Sequence, residues 1–233
     1  MELTPDNIIY WQYGFIKLNA TILFSWIVMA ILVIGSWLIT RRLRTDERLS
    51  RGQNFLEVIV SSILDQIHDI SNQKPEPYLP IIGTLFLFIL ASNILSVVPG
   101  FNPPTGSLTT TSALAICVFF AVPAYGVAKK GVVGYLKRYI QPTVFMLFFN
   151  IIGEVSRTLA LAVRLFGNIM SGTVIAGILL SITPILFPVL MQILGLITGV
   201  IQAYIFAILA MVYISSASRA QDEVRNAQGA TDS

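Results

Sequence analysis

The sequence predicts an all-α integral membrane protein with about five membrane helices and one amphipathic helix at the membrane interface. Of its 233 residues, 55% are hydrophobic and only 12% are charged, and this charged share is about half that of an ordinary soluble domain. A water-soluble fold of this size has too little interior to hide so much apolar surface. The last two apolar stretches are also longer than a bilayer is thick. We therefore expect a single integral membrane domain over residues 1–233.

The first membrane helix is predicted over residues 20–40, a stretch long enough to cross the roughly 30 Å hydrocarbon layer. The residues before it contain neither a basic leader nor a small-residue cleavage site, so it does not resemble a signal peptide. Arginines follow it directly: Arg41, Arg42, Arg44, Arg48 and Arg51. Because basic residues favour the cytoplasmic side, we expect the N-terminus outside the cell.

The next three helices follow from apolar spacing and from prolines. Residues 55–70 carry apolar side chains at helical spacing, with Glu57, Asp65 and His68 on other faces, which is typical of an interfacial amphipathic helix. Two further spans are predicted over 79–98 and 110–128, with a proline-rich loop between them. That loop contains no lysine or arginine, whereas Lys129 and Lys130 follow the second span. The loop is therefore expected outside and the basic segment inside.

The last two helices are too long for a perpendicular crossing. The segment 143–181 has no proline and would measure roughly 57 Å as one helix, and 189–218 would measure roughly 45 Å. We expect a steeply tilted hairpin, with its turn near Pro184 and Pro188. Arg219 and Arg225 follow the second arm, so the polar tail 219–233 is predicted to lie in the cytoplasm.

Arg164 is the most informative residue of this hairpin. A guanidinium does not lose its charge in a protein, and at the bilayer centre it costs about 2.5–3.5 kcal/mol on insertion scales. No carboxylate lies within one helical turn of it, and the nearest acidic residue of the segment, Glu154, is roughly 15 Å away along the axis. The arginine therefore predicts a functional site whose anionic partner comes from elsewhere in the fold or from another protein.

Arg164 belongs to a set of residues that share one helical face, which we call the polar stripe. Their spacing alternates between four and three, and six of the seven are polar: Asn150, Glu154, Arg157, Leu161, Arg164, Asn168 and Ser171. A second seam on the last helix has the same kind of spacing: Gln192, Gly195, Gly199 and Gln202. Two polar seams on adjacent helices suggest a shared interior surface or a water-lined path.

Several of these residues also fit purely structural roles. Glu154 and Arg157 can form an ion pair that lets both charges tolerate lipid. Asn150 and the other amides can hydrogen-bond between helices, and Gly195 and Gly199 can allow two helices to approach closely. The single cysteine, Cys117, lies in an apolar segment, so neither a metal site nor a cofactor is expected. No nucleic-acid partner is expected either.

The motifs of the chain resemble subunit a of rotary F-type ATP synthases. Residues 164–168 read Arg-Leu-Phe-Gly-Asn, with Gly172 four positions further on, and residues 202–206 read Gln-Ala-Tyr-Ile-Phe, with Tyr213 after them. Upstream, residues 83–86 read Gly-Thr-Leu-Phe and are followed by Asn93 and Pro99. The resemblance covers nearly the whole chain in order.

The resemblance implies a membrane stator beside a rotating ring of c subunits. Arg164 would then meet the ion-binding carboxylate of each ring subunit, between two half-channels that open to opposite sides of the membrane. Asn168, Gln202, Glu154, Gln192 and Asn93 are the further candidates for the ion path. The other implied partners are the peripheral-stalk b subunits, the remaining ATP synthase subunits and membrane lipid. The chain itself would catalyse no reaction, and its expected location is the bacterial inner (plasma) membrane.

Three positions depart from the family pattern. Thr173 and Gly195 stand where many relatives have ionisable residues, and Ser96 stands where some have aspartate. Glu154 remains as the only acidic residue within the predicted spans. Family precedent favours protons as the coupling ion, while these departures leave sodium as an alternative. A secondary transporter for an anionic substrate is a more distant alternative, since the chain has few spans and no internal duplication.

Overall fold

The computed structural model describes residues 9–13, 16–41, 51–71, 74–98, 100–140, 144–182 and 186–219. The helices in these ranges are α1 (Ala20–Thr40), α2 (Arg51–Ser71), α3 (Leu79–Leu95), α4 (Leu108–Ile140), α5 (Val144–Ile182) and α6 (Leu186–Arg219). The predicted class, a helical membrane protein, is confirmed. Arg42, Arg44 and Arg48 lie outside the described residues, as do Pro184 and the tail after Arg219.

One element was not predicted from the sequence. Strands β1 (Ile9–Tyr13) and β2 (Ile16–Asn19) form an antiparallel ribbon that leads directly into α1. The ribbon is rich in isoleucine and aromatic residues, which favour strands. The pairing register is irregular between Ile9 and Trp11. The residues of β1 also lack a clean alternation of apolar and polar side chains, which is the pattern that predicts a strand.

Four helical segments are long and apolar enough to cross a membrane: Ala20–Thr40, Leu108–Ala128, Phe148–Ser181 and Val189–Ser216. The apolar helix α3 has 17 residues, so its length of about 25 Å falls near the lower limit for a span. The prediction extended this span to residue 98, but α3 ends at Leu95 because the chain turns there. The turn is closed by backbone hydrogen bonds from Val97 to Ile94 and from Val98 to Leu95.

The predicted span 110–128 agrees with the apolar segment Leu108–Ala128. The helix itself continues further, because α4 runs from Leu108 to Ile140 and is interrupted at Gly131, where φ is 70° and ψ is 163°. Lys129 and Lys130 mark the end of the apolar segment but leave the helical hydrogen bonding unaffected, since lysine is a good helix former. The change of direction occurs at glycine, which adopts positive φ without steric cost.

The core lies where α3, α4, α5 and α6 meet. Its largest fully buried side chains include Ile89, Val118, Leu161, Leu165 and Phe206. The amphipathic helix α2 adds Ile67 to this core, while its Glu57, Asp65 and His68 are exposed. In contrast, only 6% of the residues in the most apolar part of α1, and likewise of α5, are buried. The long helix with the polar stripe therefore exposes most of its surface at the side of the bundle.

Candidate functional site

The site begins at the contact between α3 and α6. Asn93 is 1% exposed, and its Nδ2 donates a hydrogen bond to the carbonyl of Gly199 at 2.8 Å. Its Oδ1 accepts a hydrogen bond from the hydroxyl of Thr105 at 2.9 Å. One buried amide therefore joins α3, α6 and the turn formed by the 3₁₀ helix Pro104–Gly106. This geometry corresponds to a structural connection, because both ends of the amide are occupied by protein groups.

Gly199 is required for this connection. A Cβ atom on residue 199 would lie 2.9 Å from the Cβ of Asn93, a distance that real side chains do not reach without movement of the backbone. At Gly195, which lies one turn away, nothing lies within 4 Å of the same hypothetical atom. The two glycines of the α6 seam thus differ, because only Gly199 allows close helix approach within the described residues.

The register between α5 and α6 follows from two contacts. Nδ2 of Asn168 donates a long hydrogen bond of 3.4 Å to the carbonyl of Thr198. Nearer the other end of the pair, the Arg157 guanidinium lies over the Tyr213 ring, 5.6 Å from its centroid. Because the two helices run in opposite directions, these contacts bring Gln202 to about the same level as Arg164.

Arg164 is exposed at this level, in the middle of α5. Its guanidinium makes no hydrogen bond or ion pair with any side chain in the part of the chain that the structure describes. The neighbouring positions Leu161 and Leu165 are 1% and 0% exposed. The residues of the polar stripe therefore differ in exposure, although their spacing places them on one helical face. Leu161 belongs to the core, and Arg164 stands at the border between the buried and the exposed surface of α5.

Small residues surround Arg164 on the exposed side of the helix. Ser156, Ala160 and Ser171 are exposed, and Gly167 is half-buried, with nothing within 4 Å of a hypothetical Cβ atom. On an α-helix these four residues and Arg164 lie within about one third of the circumference. Such a surface lets another helix approach closely.

Gln202 is buried at the same level. Its side chain is 7% exposed and has no hydrogen-bond partner among the described residues. Within the described ranges, Asn19 Oδ1 is the only fully buried side-chain nitrogen or oxygen without a partner. The amide atoms of Gln202 are therefore still partly accessible. A buried amide of this kind needs a polar partner, and a water molecule is small enough to supply one.

A polar cavity of about 430 Å³ lies between the 96–103 segment, α5 and α6. It includes two of the predicted site residues, Asn168 and Gln192, together with Gly195 and Thr173. Nε2 of Gln192 donates a hydrogen bond of 3.2 Å to the carbonyl of Val97, at the edge of the cavity. None of the residues that line the cavity has a titratable side chain. It therefore offers only amide, hydroxyl and backbone groups to an ion or to water.

Toward the start of α5, Asn150 and Arg157 are exposed and Glu154 is half-buried. The guanidinium of Arg157 lies over the face of Tyr213. Glu154 has an interaction partner of its own. This end of the stripe thus presents an amide and an arginine at the surface, beside a partly covered carboxylate.

Sequence reasoning missed several of these residues. Thr105 and Thr198 hold Asn93 and Asn168 in place, and Gln66 accepts a hydrogen bond from the hydroxyl of Tyr204 at 2.7 Å. A polar residue within an apolar helix can be recognised from the sequence as a candidate interhelical contact. Gln66 on α2 is hard to recognise in this way, since it has polar neighbours.

Among the described residues, no group of three or more histidine, cysteine or acidic side chains lies close enough to hold a metal ion.

These features define a multi-spanning helical membrane protein with an unpaired arginine at the exposed side of its bundle and a polar cavity beside it. The family model described as ATP synthase A chain matches residues 22–215. The chain is 66% identical over 219 residues to ATP synthase subunit a 2 of Acaryochloris marina, with 94% of each chain covered. It is 58% identical over 223 residues to ATP synthase subunit a 2 of Picosynechococcus (96% of each chain), and 58% identical over 219 residues to ATP synthase subunit a of Albidiferax ferrireducens (94% of this chain, 95% of the relative).

The chain therefore belongs to the ATP synthase A chain family. It is an integral membrane subunit of an ATP synthase, as the resemblance of residues 164–168 and 202–206 suggested. This family assignment takes the place of the more distant alternative from the sequence, a secondary transporter.

Proposed function

We propose that this chain is the ion-conducting stator subunit of the complex. In this role it carries ions through two half-channels to and from the carboxylates of a c-subunit ring, and so couples ion flow to rotation and ATP synthesis. The observation that carries the proposal is Arg164, whose guanidinium is exposed in mid-helix and unpaired within the described residues. An arginine at this depth is too costly to be kept without an anion, and a ring carboxylate that arrives from outside the chain supplies one.

The chemistry at Arg164 is electrostatic. A fixed positive charge favours the ionised form of an approaching carboxylate, so the carboxylate releases its bound ion there. The same charge repels a free cation and prevents it from passing directly between the half-channels. Arg164 itself forms no covalent bond with the ion or the ring, which agrees with a non-catalytic subunit. ATP formation then belongs to other subunits of the complex.

The exposed small residues beside Arg164 support the c-subunit ring as the partner. Ser156, Ala160, Gly167 and Ser171 leave room for ring helices to pass close to the guanidinium. A ring that rotates must slide over this surface, and small side chains offer few obstacles. The remaining exposed apolar surface of α1 supports contact with lipid and with the peripheral-stalk b subunits.

Two polar regions support the two half-channels. The polar cavity includes Asn168, Gln192 and Gly195 toward the C-terminal end of α5 from Arg164, and Asn150, Glu154 and Arg157 lie toward its N-terminal end. Basic residues after α1 and in the last part of α4 favour a cytoplasmic position for the Asn150 end and an outside position for the cavity. In the same orientation the N-terminus is outside and the C-terminus cytoplasmic. Gln202 is the amide between the two regions, and Asn93 supports the helix that carries it.

We propose protons as the coupling ion, since water held by amides and hydroxyls can relay protons without titratable side chains. Sodium is the second candidate, and the lining of the polar cavity favours it. Thr173, Ser96 and the amides offer oxygen ligands of the kind that hard cations prefer, and no lining side chain titrates. Glu154 is expected to matter for either ion.

The deciding experiment for the stator role removes the guanidinium in the intact complex. Arg164→Ala is expected to abolish ATP-driven ion pumping and ATP synthesis while the subunit still inserts and assembles. Arg164→Lys is expected to lose most of the activity, because an ammonium neither forks to a carboxylate nor keeps its charge reliably when buried. Arg41→Ala also removes an arginine, at the exposed end of α1, and is the matched control. A complex with this variant should pump normally. Near-normal pumping by Arg164→Ala would contradict the proposal.

A further inference from the structure

A second cavity lies away from Arg164, between α2, α3 and α6, and has a volume of about 370 Å³. We call it the apolar cavity. Among its lining residues, only Ser62, Gln66 and Tyr204 carry a side-chain nitrogen or oxygen. Two of these three bond to each other, because the Tyr204 hydroxyl donates to Oε1 of Gln66 at 2.7 Å. The remaining walls are aliphatic and aromatic.

Water is a poor occupant for this space. A buried water molecule forms about two to four hydrogen bonds, and beyond the Tyr204–Gln66 hydrogen bond the lining side chains offer only the hydroxyl of Ser62 and the amide nitrogen of Gln66. An empty space of this size is also unfavourable, because the lining atoms lose their dispersion contacts. The cavity therefore favours an apolar occupant.

The shape of the cavity favours a chain-like molecule. Its lining follows α3 from Ile82 to Leu90, roughly 12 Å of helix, and α6 from Tyr204 to Met211, roughly 10 Å. It opens to the surface beside Val58, which is 55% exposed, and Tyr204, which is 43% exposed. From this opening it continues into the exposed apolar surface of α6 at Ile201, which is 51% exposed. In an integral membrane protein, the molecules that meet such a surface and are long, narrow and apolar are lipid chains.

We propose that the apolar cavity binds one acyl chain of a membrane phospholipid, with the Tyr204–Gln66 hydrogen bond at its rim. The chain completes the packing of α2 against α3 and α6, which the protein alone leaves open. Because Tyr204 is two residues from Gln202, the bound chain supports the part of α6 that faces Arg164. This lipid site does not depend on the identity of the coupling ion.

The test uses the intact complex reconstituted in phosphatidylcholine vesicles, with a photoreactive diazirine on one acyl chain. After illumination, mass spectrometry of peptides locates the lipid adducts. We expect adducts to concentrate on the cavity walls, at 59–70 and 204–211, well above their frequency on the exposed face of α1. An equal frequency on α1 would overturn the proposal, because it would mean that the cavity meets bulk lipid only.

Two variants fill the cavity with protein. Ala207→Phe acts from a buried position that is 7% exposed, and Ser62→Phe acts from the exposed rim without pressure on the core. Each should reduce the adducts on the cavity walls several-fold, whereas Ala30→Phe, on the exposed surface of α1, should leave them unchanged. Unchanged labelling in both cavity variants would overturn the proposal. So would efficient crosslinking of Ser62→Cys to a helix of another subunit, since that helix would then be the occupant. If a variant does not assemble, the wild-type labelling pattern still decides.

Discussion

Asn93 and Gly199 meet at a distance that only glycine permits. Nδ2 of Asn93 donates to the Gly199 carbonyl at 2.8 Å, and a Cβ atom on residue 199 would lie 2.9 Å from Cβ of Asn93. This contact holds α3 against α6, the helix that also carries Gln202. The position of Gln202, a candidate ion-path residue, therefore depends on a contact between two residues that are 106 positions apart.

The first prediction is that Gly199→Ala destabilises the subunit. The added methyl group must displace Asn93 or separate the helices, and overpacking of this kind costs about 1–3 kcal/mol. Thermal unfolding of the purified complex in detergent measures the change. Gly195→Ala is the matched control on the same helix, because nothing lies within 4 Å of its added atom. Equal stability of the two variants would contradict the close contact.

A second prediction concerns Asn93 itself. Asn93→Ala leaves the buried Thr105 hydroxyl without its partner and removes the interhelical bond to the Gly199 carbonyl, and an unsatisfied buried group costs about 1–3 kcal/mol. We expect less assembled complex and a lower thermal midpoint, while the complexes that do assemble pump normally per ATP hydrolysed. Asn102→Ala, in the lining of the polar cavity, should keep its stability. Normal stability of Asn93→Ala with reduced pumping per ATP would instead assign Asn93 to the ion path.

The third prediction locates the ring on α5. Single cysteines at Ala160, Gly167 and Ser171 should crosslink to cysteines near the ring carboxylate, because these positions surround Arg164 on the exposed side. Cysteines at Leu161 and Ala162, which are 1% and 4% exposed, should not react, since they face the core. Crosslinking yield on gels of purified complex is the measurement. Similar yields at buried and exposed positions would refute this orientation of α5.

A fourth prediction tests the contact between Arg157 and Tyr213. The guanidinium lies 5.6 Å from the ring centroid, and a cation–π contact contributes about 0.5–1 kcal/mol at exposed sites and about 2 or more when desolvated. Tyr213→Phe keeps the ring and should retain stability and coupling. Tyr213→Leu removes the ring and should lower the thermal midpoint. If Tyr213→Phe is as impaired as Tyr213→Leu, the hydroxyl and not the ring face is the important group.

The last prediction distinguishes the two candidate ions. For a proton-coupled complex, ATP hydrolysis by the purified enzyme at fixed alkaline pH should not respond to added sodium. For a sodium-coupled complex, millimolar sodium should stimulate hydrolysis and protect the ring carboxylate from carbodiimide. Protection by sodium would therefore refute the preference for protons and select the second candidate. Potassium at equal ionic strength is the control, because it separates a specific ion effect from screening.

The sequence by itself determined the membrane class and the approximate places of the helices, and it singled out Arg164 as the candidate functional residue. Each of these depends on local properties, namely the length of an apolar stretch, its flanking charges and the cost of a guanidinium in hydrocarbon. The motif in residues 164–168 was sufficient for the family, which the match over residues 22–215 confirms. These local properties locate the apolar part of a helix and not its end, since α4 continues beyond Lys129.

Only the tertiary structure decided which polar residues meet and which surface each one faces. The spacing of the polar stripe grouped Leu161 with Arg164, yet packing buries the first and exposes the second. No helical pattern predicts the hydrogen bond between Tyr204 and Gln66 either, because these residues are 138 positions apart. Periodicity determines only the angles between side chains on one helix. The rotation and register of each helix against its neighbours depend on contacts between distant residues, such as Asn93 with Gly199, and a single helical pattern does not contain that information.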